Sequence, residues 1–261
     1  MSGDRIDAYF VCAGKYHDID FARLEILKLL FRDPRIRTHV VEDYSDIDGI
    51  RAADFLITYT CDVIPTEDQQ KALQEWLQGG GRWFALHGTN SILRFLEDGR
   101  ASCPREAPLF MDMLGSQFVA HPPLQDFKVE ITDPDHDLTR DIEPFVTNDE
   151  IYICEWYGEN NVLLHTEWSG VARGFEEHEW PSAQKHPVLY ERHYGDGKVL
   201  YFNLGHCRSK YDLQPLIEEY PVIERCSWEN PIFYELLERG IRWAHDRGPG
   251  EEKPVYGANG A

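Results

Sequence analysis

The sequence has no apolar run near the roughly 20 residues that a bilayer-spanning helix needs. Basic residues are scarce: 26 Lys and Arg stand against 46 Asp and Glu, for a formal net charge of −20. Nucleic acids and anionic lipid surfaces are held by clustered Lys and Arg, so this balance argues against both as partners. The six cysteines contain no C-x-x-C pair, and several sit in apolar, strand-like runs, the pattern of a reducing compartment. No G-x-G-x-x-G follows the first strand, no G-x-x-x-x-G-K-[ST] occurs, and no G-x-S-x-G places a serine at a turn, so NAD, flavin and nucleotide cofactors and a serine nucleophile are not indicated. Near the N-terminus Asp4 and Asp7 stand where a secretory leader would be basic. The expectation is a soluble, cytoplasmic protein.

At 261 residues the chain suits one large domain, read as residues 1–246 with a loose Gly- and Pro-containing tail at 247–261. Ile6 to Cys12, Ile36 to Glu42, Asp54 to Tyr59 and Arg82 to Leu86 read as strands. Helical patterns fall at Ile19 to Phe31, with Leu24, Leu27, Lys28 and Phe31 as a stripe, and after Thr66, where Gln69 has capping-box spacing and Leu73, Trp76 and Leu77 share a face. Gly79, Gly80 and Gly81 supply the turn between that helix and the strand Arg82 to Leu86. This alternation predicts an α/β fold with a doubly wound, mainly parallel sheet and helices on both faces. Further on, Ser91 to Leu96 reads as a short helix, Ala107 to Leu114 as a helix, Asp149 to Trp156 as one strand and Trp168 to Lys185 as a long loop or lid. Gly195-Asp196-Gly197 closes an antiparallel hairpin near the C-terminus, and Pro231 to His245 is a final helix after the excursion Cys207 to Asn230.

In open α/β sheets, ligands bind at the carboxyl ends of the strands. His17 and Asp18 follow the first strand, His87 and Asn90 follow Arg82 to Leu86, His121 precedes two prolines that fix its backbone, and His206 follows the hairpin. Asp149 and Glu150 open another strand. A lone histidine is most often a core or capping group, but imidazoles and carboxylates gathered at one edge suit acid/base chemistry or a divalent metal. Aromatic residues are plentiful (7 Trp, 13 Tyr and 13 Phe), and Trp156, Tyr157, Trp168, Trp180 and Tyr211 are candidates to stack on sugar faces, with core packing as the plainer reading of each.

The segments GKYHD (14–18), GGGRWFALHG (79–88), LGSQFVAHPP (114–123), DPDHDLTRDI (133–142), NDEIY (148–152), YGDGKVLYFNLGH (194–206) and GIRWA (240–244) resemble the ThuA-like, or trehalose-utilisation, family. That resemblance implies a flavodoxin-like fold similar to class I glutamine amidotransferases, with His87 where those enzymes carry a nucleophilic cysteine. Without a thiolate at the elbow, glutamine hydrolysis by a covalent route has no nucleophile. The resemblance implies a sugar-related substrate, and the leading expectation is an enzyme acting on a sugar or an oxidised, 3-keto sugar derivative. His87, His17, Glu150 and Asp149 are the expected catalytic groups, with Glu150 or His17 as base. Asp18, Asn90, Tyr152 and Trp156 are the expected substrate contacts, and His87, His121 and His206 the ligands of a zinc-like divalent ion. The alternative is a non-catalytic sugar-binding or regulatory protein on the same scaffold. The expected partner is a small carbohydrate, with homo-oligomerisation left open.

Overall fold

The computed structural model describes residues 5–247; the tail expected at 247–261 lies, apart from Arg247, outside them. The first half alternates as β1 (Ile6–Gly14), α1 (Ile19–Leu30), β2 (Ile36–Val41), α2 (Ile47–Ala52), β3 (Phe55–Cys61), α3 (Glu67–Gln78) and β4 (Arg82–Leu86). Short strands β5 (Arg94–Phe95) and β6 (Ala101–Ser102), helix α4 (Pro108–Leu114) and strands β7 (Ser116–Ala120), β8 (Gln125–Ile131), β9 (Phe145–Asp149) and β10 (Ile153–Trp156) follow. The long strands β11 (Asn161–Val171) and β12 (Glu179–Tyr194), then β13 (Gly197–Phe202) and helix α5 (Pro231–His245), complete the order.

Nine strands form one mixed sheet in the order β2-β1-β3-β4-β13-β12-β11-β8-β9. From β2 to β13 every pairing is parallel; from β13 to β9 every pairing is antiparallel. The side-chain period of two sends Phe10, Ile57 and Phe84 to one face, where α1 and α5 cover them, and Tyr9, Leu56 and Trp83 to the other, under α2, α3 and α4. The Thr66 capping box starts α3, whose Leu73, Trp76 and Leu77 are at most 1 % exposed and each contribute on the order of 2 kcal/mol by burial. Of the three glycines that follow, only Gly80 needs a positive φ, at 106°.

Several expectations are corrected. The buried face of α1 is Ala22, Ile26, Leu29 and Leu30, while Leu24 and Phe31 are exposed, because apolar residues surround most of this helix and the stripe can be drawn on either side. Residues 87–90 form one 3₁₀ turn and residues 94–95 a strand, in place of a helix at Ser91 to Leu96. The single strand expected at Asp149 to Trp156 is two: β9 ends at Asp149, the chain breaks over residues 150–152, and β10 pairs with β7 in a separate two-stranded sheet. Trp168 to Lys185 is the outer half of the β11–β12 hairpin, held by pairings such as Trp168 with Gln184 and Gly170 with Trp180. No described helix is long and apolar enough to cross a membrane.

Candidate functional site

The parallel strands bring the residues that follow them together at one edge of the sheet. β1 runs through a loop to His17, β4 ends directly at His87, and β13 leads through Leu204 and Gly205 to His206. Glu150 enters from the break after β9 and His121 from the end of β7. His87 sits at φ 45°, a left-handed conformation that costs a non-glycine residue on the order of 1–3 kcal/mol. The turn is held by Tyr201, whose hydroxyl donates to the His87 carbonyl (2.5 Å), and by Thr89, whose hydroxyl donates to the Leu86 carbonyl (2.7 Å). The next residue must be glycine, since a Cβ at Gly88 would lie 2.7 Å from the Thr60 carbonyl oxygen. Tyr16, Asp62 and Cys226 also have positive φ.

Among the described residues, ligand atoms of His17, His87, Glu150 and His206 lie within 4.8 Å of one another. All four are buried: His87 and His206 completely, Glu150 at 4 % and His17 at 7 % exposure. The Nε2 atoms of His17 and His87 are 2.9 Å apart, and Glu150 carboxylate oxygens lie 3.6 Å from His87 Nε2 and 3.1 Å from His206 Nδ1. Each imidazole is oriented by its other nitrogen. Nδ1–H of His17 donates to the Lys15 carbonyl (3.0 Å), Nδ1–H of His87 to the Asn203 carbonyl (2.8 Å), and Nε2–H of His206 to Glu224 (2.8 Å). A carbonyl only accepts, so in the neutral rings the Nε2 atoms of His17 and His87 carry lone pairs. Burial above all, with neighbouring imidazoles, pushes His17 well below the ordinary histidine range, and burial also lowers His87.

The lone pairs of His17 and His87 and the Glu150 carboxylate converge here as a donor set that could hold a divalent cation. These residues fit a divalent ion with nitrogen and oxygen ligands: bonds of 2.0–2.1 Å in a tetrahedron put donor atoms about 3.3 Å apart. The separations of 2.9, 3.1 and 3.6 Å straddle that value, within a cluster that reaches 4.8 Å. Buried His206 Nδ1, 3.1 Å from Glu150, supplies another nitrogen of the same cluster. With no ion, burial works against charge on His206 but Glu150 and Glu224 outweigh it and hold its pKa at about 9. Burial would raise Glu150, yet His121, His206 and His87 hold it well below the usual carboxylate range.

His121 stands outside this group. Its Nδ1–H donates to the Pro122 carbonyl (2.7 Å), its Nε2 meets Glu150 from the far side at 3.2 Å, and its side chain is 24 % exposed. The residues grouped closely enough that they could share an ion are His17, His87, Glu150 and His206; the expected trio of His87, His121 and His206 differs from this group at His121, whose ring is tied to the Pro122 carbonyl. Asp149 is a fastener: its carboxylate accepts from the backbone N–H groups of Glu150, Gly205, His206 and Ser227 at 2.8–3.3 Å. Tyr152 is in the site, its hydroxyl 3.2 Å from His87 Nε2 and kept protonated by burial and Glu150.

Three expected substrate contacts have structural partners instead. Asp18 caps α1 by accepting from Phe21 N (3.1 Å) and pairs with Arg225 (2.9 Å). Asn90 is buried and donates to Ser116 Oγ (2.7 Å). Trp156 packs edge-on against Tyr190 with ring centroids 5.4 Å apart, and Trp168 against Trp180 at 6.1 Å. The β11–β12 hairpin contributes Phe175, whose ring lies 4.9 Å from that of His121 and walls the site. Glu224 and Arg208, in the excursion after His206, were not foreseen; nothing in their spacing signals a partner 18 and 16 positions apart.

A family model described as trehalose utilisation, ThuA, matches residues 11–219. The chain belongs to the ThuA family. Among solved structures it is similar to a ThuA-like protein from Bacteroides uniformis ATCC 8492, with 18% identity, 94% of this chain and 93% of the other covered, and a TM-score of 0.63. A ThuA-like protein from Parabacteroides merdae ATCC 43184 gives 16% identity, coverage of 93% and 90%, and a TM-score of 0.61. A cytoplasmic protein from Salmonella typhimurium LT2 gives 14% identity, coverage of 92% and 98%, and a TM-score of 0.52. At these identities the likeness is one of fold. No curated protein matches the chain. The ThuA match takes in His17, His87, His121, Glu150 and His206, and ends before Glu224 and α5.

Proposed function

We propose that this ThuA-family chain is a cytoplasmic enzyme of carbohydrate catabolism acting on a sugar or an oxidised, 3-keto sugar derivative, with a divalent metal ion. The observation that carries this reading is the convergence of His17, His87, His206 and Glu150 from four separate loops on one buried point. The family description, trehalose utilisation, supports a sugar substrate. The strand order β2-β1-β3-β4 and the left-handed elbow at His87 support an amidotransferase-like, flavodoxin-like scaffold whose thiol position holds an imidazole.

His17, His87, His206 and Glu150 would hold the ion, which when bound would polarise a substrate carbonyl. His121 is the imidazole left for proton transfer, since it is partly exposed and burial keeps it neutral. In a 3-keto glycoside the hydrogen beside the carbonyl is acidic. His121 Nε2 removes it; the electron pair passes to the carbonyl oxygen as an enolate, then returns to expel the glycosidic oxygen, to which the imidazolium gives the proton back. The Tyr152 hydroxyl, a buried donor, is available to the oxyanion. Isomerisation of the keto sugar would use the same groups. In this scheme Glu150 and His17 hold and His121 moves the proton, an exchange of the roles read from the sequence.

The test is to incubate metal-loaded protein with 3-keto trehalose and 3-keto glucosides and follow sugar release or keto-group migration. Inactivity across that panel with the metal in place would overturn the proposal. The near-complete burial of the cluster favours a second reading, a non-catalytic sugar-binding protein whose histidines and ion are structural.

A further inference from the structure

The segment between His206 and α5 has little regular structure, yet it returns to the site at one place. Arg208 and Glu224 form an isolated antiparallel bridge, with Arg208 N donating to the Glu224 carbonyl (3.0 Å) and Glu224 N to the Arg208 carbonyl (2.8 Å). The bridge brings the Glu224 side chain, 10 % exposed, against His206. Both carboxylate oxygens are engaged: Oε2 accepts from His206 Nε2 (2.8 Å) and Arg208 Nη1 (2.9 Å), and Oε1 from the Tyr220 hydroxyl (2.8 Å). Arg208 is fixed in turn, donating through Nε to the Tyr16 carbonyl (3.0 Å) and lying over the Tyr220 ring at 5.2 Å.

We propose that Glu224 is a positioning residue: its carboxylate holds the hydrogen of His206 on Nε2 and leaves Nδ1 as the lone pair offered to a divalent cation. This rests on the metal reading above and goes beyond it, since Glu224 lies outside the residues matched by the ThuA model. The chemistry is that of a ligand imidazole whose remote N–H is tied to a carboxylate, which fixes the tautomer and strengthens the ligand. His17 and His87 have backbone carbonyls in that place, so His206 is the imidazole of this group whose partner a substitution can remove. A carboxylate with three donors and little solvent has no freedom to follow a misplaced ring. The ring must come to it.

The test uses the full chain with Glu224→Ala, Glu224→Gln and, as a control in the same segment outside this network, Lys210→Ala. Competition with a chromophoric chelator measures Zn²⁺ and Co²⁺ affinity, and the Co²⁺ absorption spectrum reports the ligand field. Glu224→Ala should weaken binding by about 10–100-fold. Glu224→Gln, which keeps a neutral acceptor, should lose less, and Lys210→Ala should stay near the parent. Separately, ¹⁵N spectra of the metal-free protein in its singly protonated alkaline form should show His206 as the Nε2–H tautomer in the parent and a mixture in Glu224→Ala. If the parent binds neither ion, the metal reading fails and the tautomer measurement alone decides the role of Glu224. Affinity unchanged in Glu224→Ala, a loss matched by Lys210→Ala, or an Nδ1–H tautomer in the parent would each overturn the proposal.

Discussion

The Nε2 atoms of His17 and His87 face each other across 2.9 Å while the Nδ1–H of each ring is committed to a backbone carbonyl. Two neutral imidazoles arranged this way present lone pair to lone pair, and the arrangement is stable only with a cation between them or a proton shared by one ring. Protein purified without a histidine tag or chelator should therefore carry about one equivalent of a transition-series divalent ion, measured by elemental analysis. Chelation should lower the thermal midpoint and Zn²⁺ or Co²⁺ restore it, whereas Mg²⁺ should not, since three imidazole ligands suit the softer ions. Saturating ion at about 1,000 times Kd is worth about 4 kcal/mol. A midpoint indifferent to all of these ions would remove the metal from the site.

The two neighbouring carboxylates separate in their roles. Glu150→Gln removes the carboxylate charge and should abolish tight metal binding, with a stability cost in metal-free protein from the lost pairing with His206. Asp149→Asn places an amide NH₂ against backbone N–H groups that a carboxylate oxygen now satisfies, and should cost about 2–4 kcal/mol of stability. It should also loosen His206, whose backbone N–H is one of its donors. Urea unfolding of both variants checks this. No stability loss in Asp149→Asn would show that the assignment of Asp149 as the fastener is wrong.

His87 tests whether the chemistry is real. His87→Ala should lower turnover of an active keto sugar by at least about 10²–10³-fold through loss of a ligand at the reacting centre. A sugar binder with a structural ion would keep its sugar affinity within several-fold, read by calorimetry. Trp156→Phe, by contrast, should reduce stability through its contact with Tyr190 and leave sugar affinity unchanged.

What the sequence revealed and what it hid follow from the range of the interactions involved. The α3 capping box, the Leu73–Trp76–Leu77 face and the strand ending at His87 are local, and short-range pattern is enough to find them. All five site imidazole and carboxylate positions could be anticipated: His17, His87 and His206 because each follows a strand, His121 from the two prolines after it, and Glu150 from its place at a strand boundary. Their division of labour could not, because it depends on ring orientation set by the carbonyls of Lys15, Asn203 and Pro122. The β11–β12 extension was hidden because charged and small residues on an exposed hairpin carry no two-residue alternation of apolar groups. Trp156 has an aromatic side chain beside a loop in sequence, yet pairing of β10 with β7 packs it, partly buried, against the core.

The pH dependence of metal-free protein follows from the opposed shifts in the cluster. His17, His87 and His121 take up a proton less readily when folded than when unfolded, so their effect is destabilising as pH falls through about 6.5, the unfolded value. His206 is the reverse: burial disfavours its charge, Glu150 and Glu224 outweigh that, and its pKa stands at about 9. Its contribution is fully present below about 6.5 and is lost as pH rises to 9, a change on the order of 3 kcal/mol. Glu150, held below the carboxylate range, adds stability that disappears only at acid pH below about 4.3. Stability of the metal-free protein should thus peak near neutrality and fall on both sides, as measured by urea unfolding from pH 5 to about 9.5. His206→Gln should flatten the alkaline limb and leave the acid limb in place. Bound ion should reverse the alkaline trend, since binding displaces the extra proton from His206 and tightens as pH rises. An alkaline limb unchanged in His206→Gln would mean that the imidazolium between Glu150 and Glu224 is not the charge that governs it.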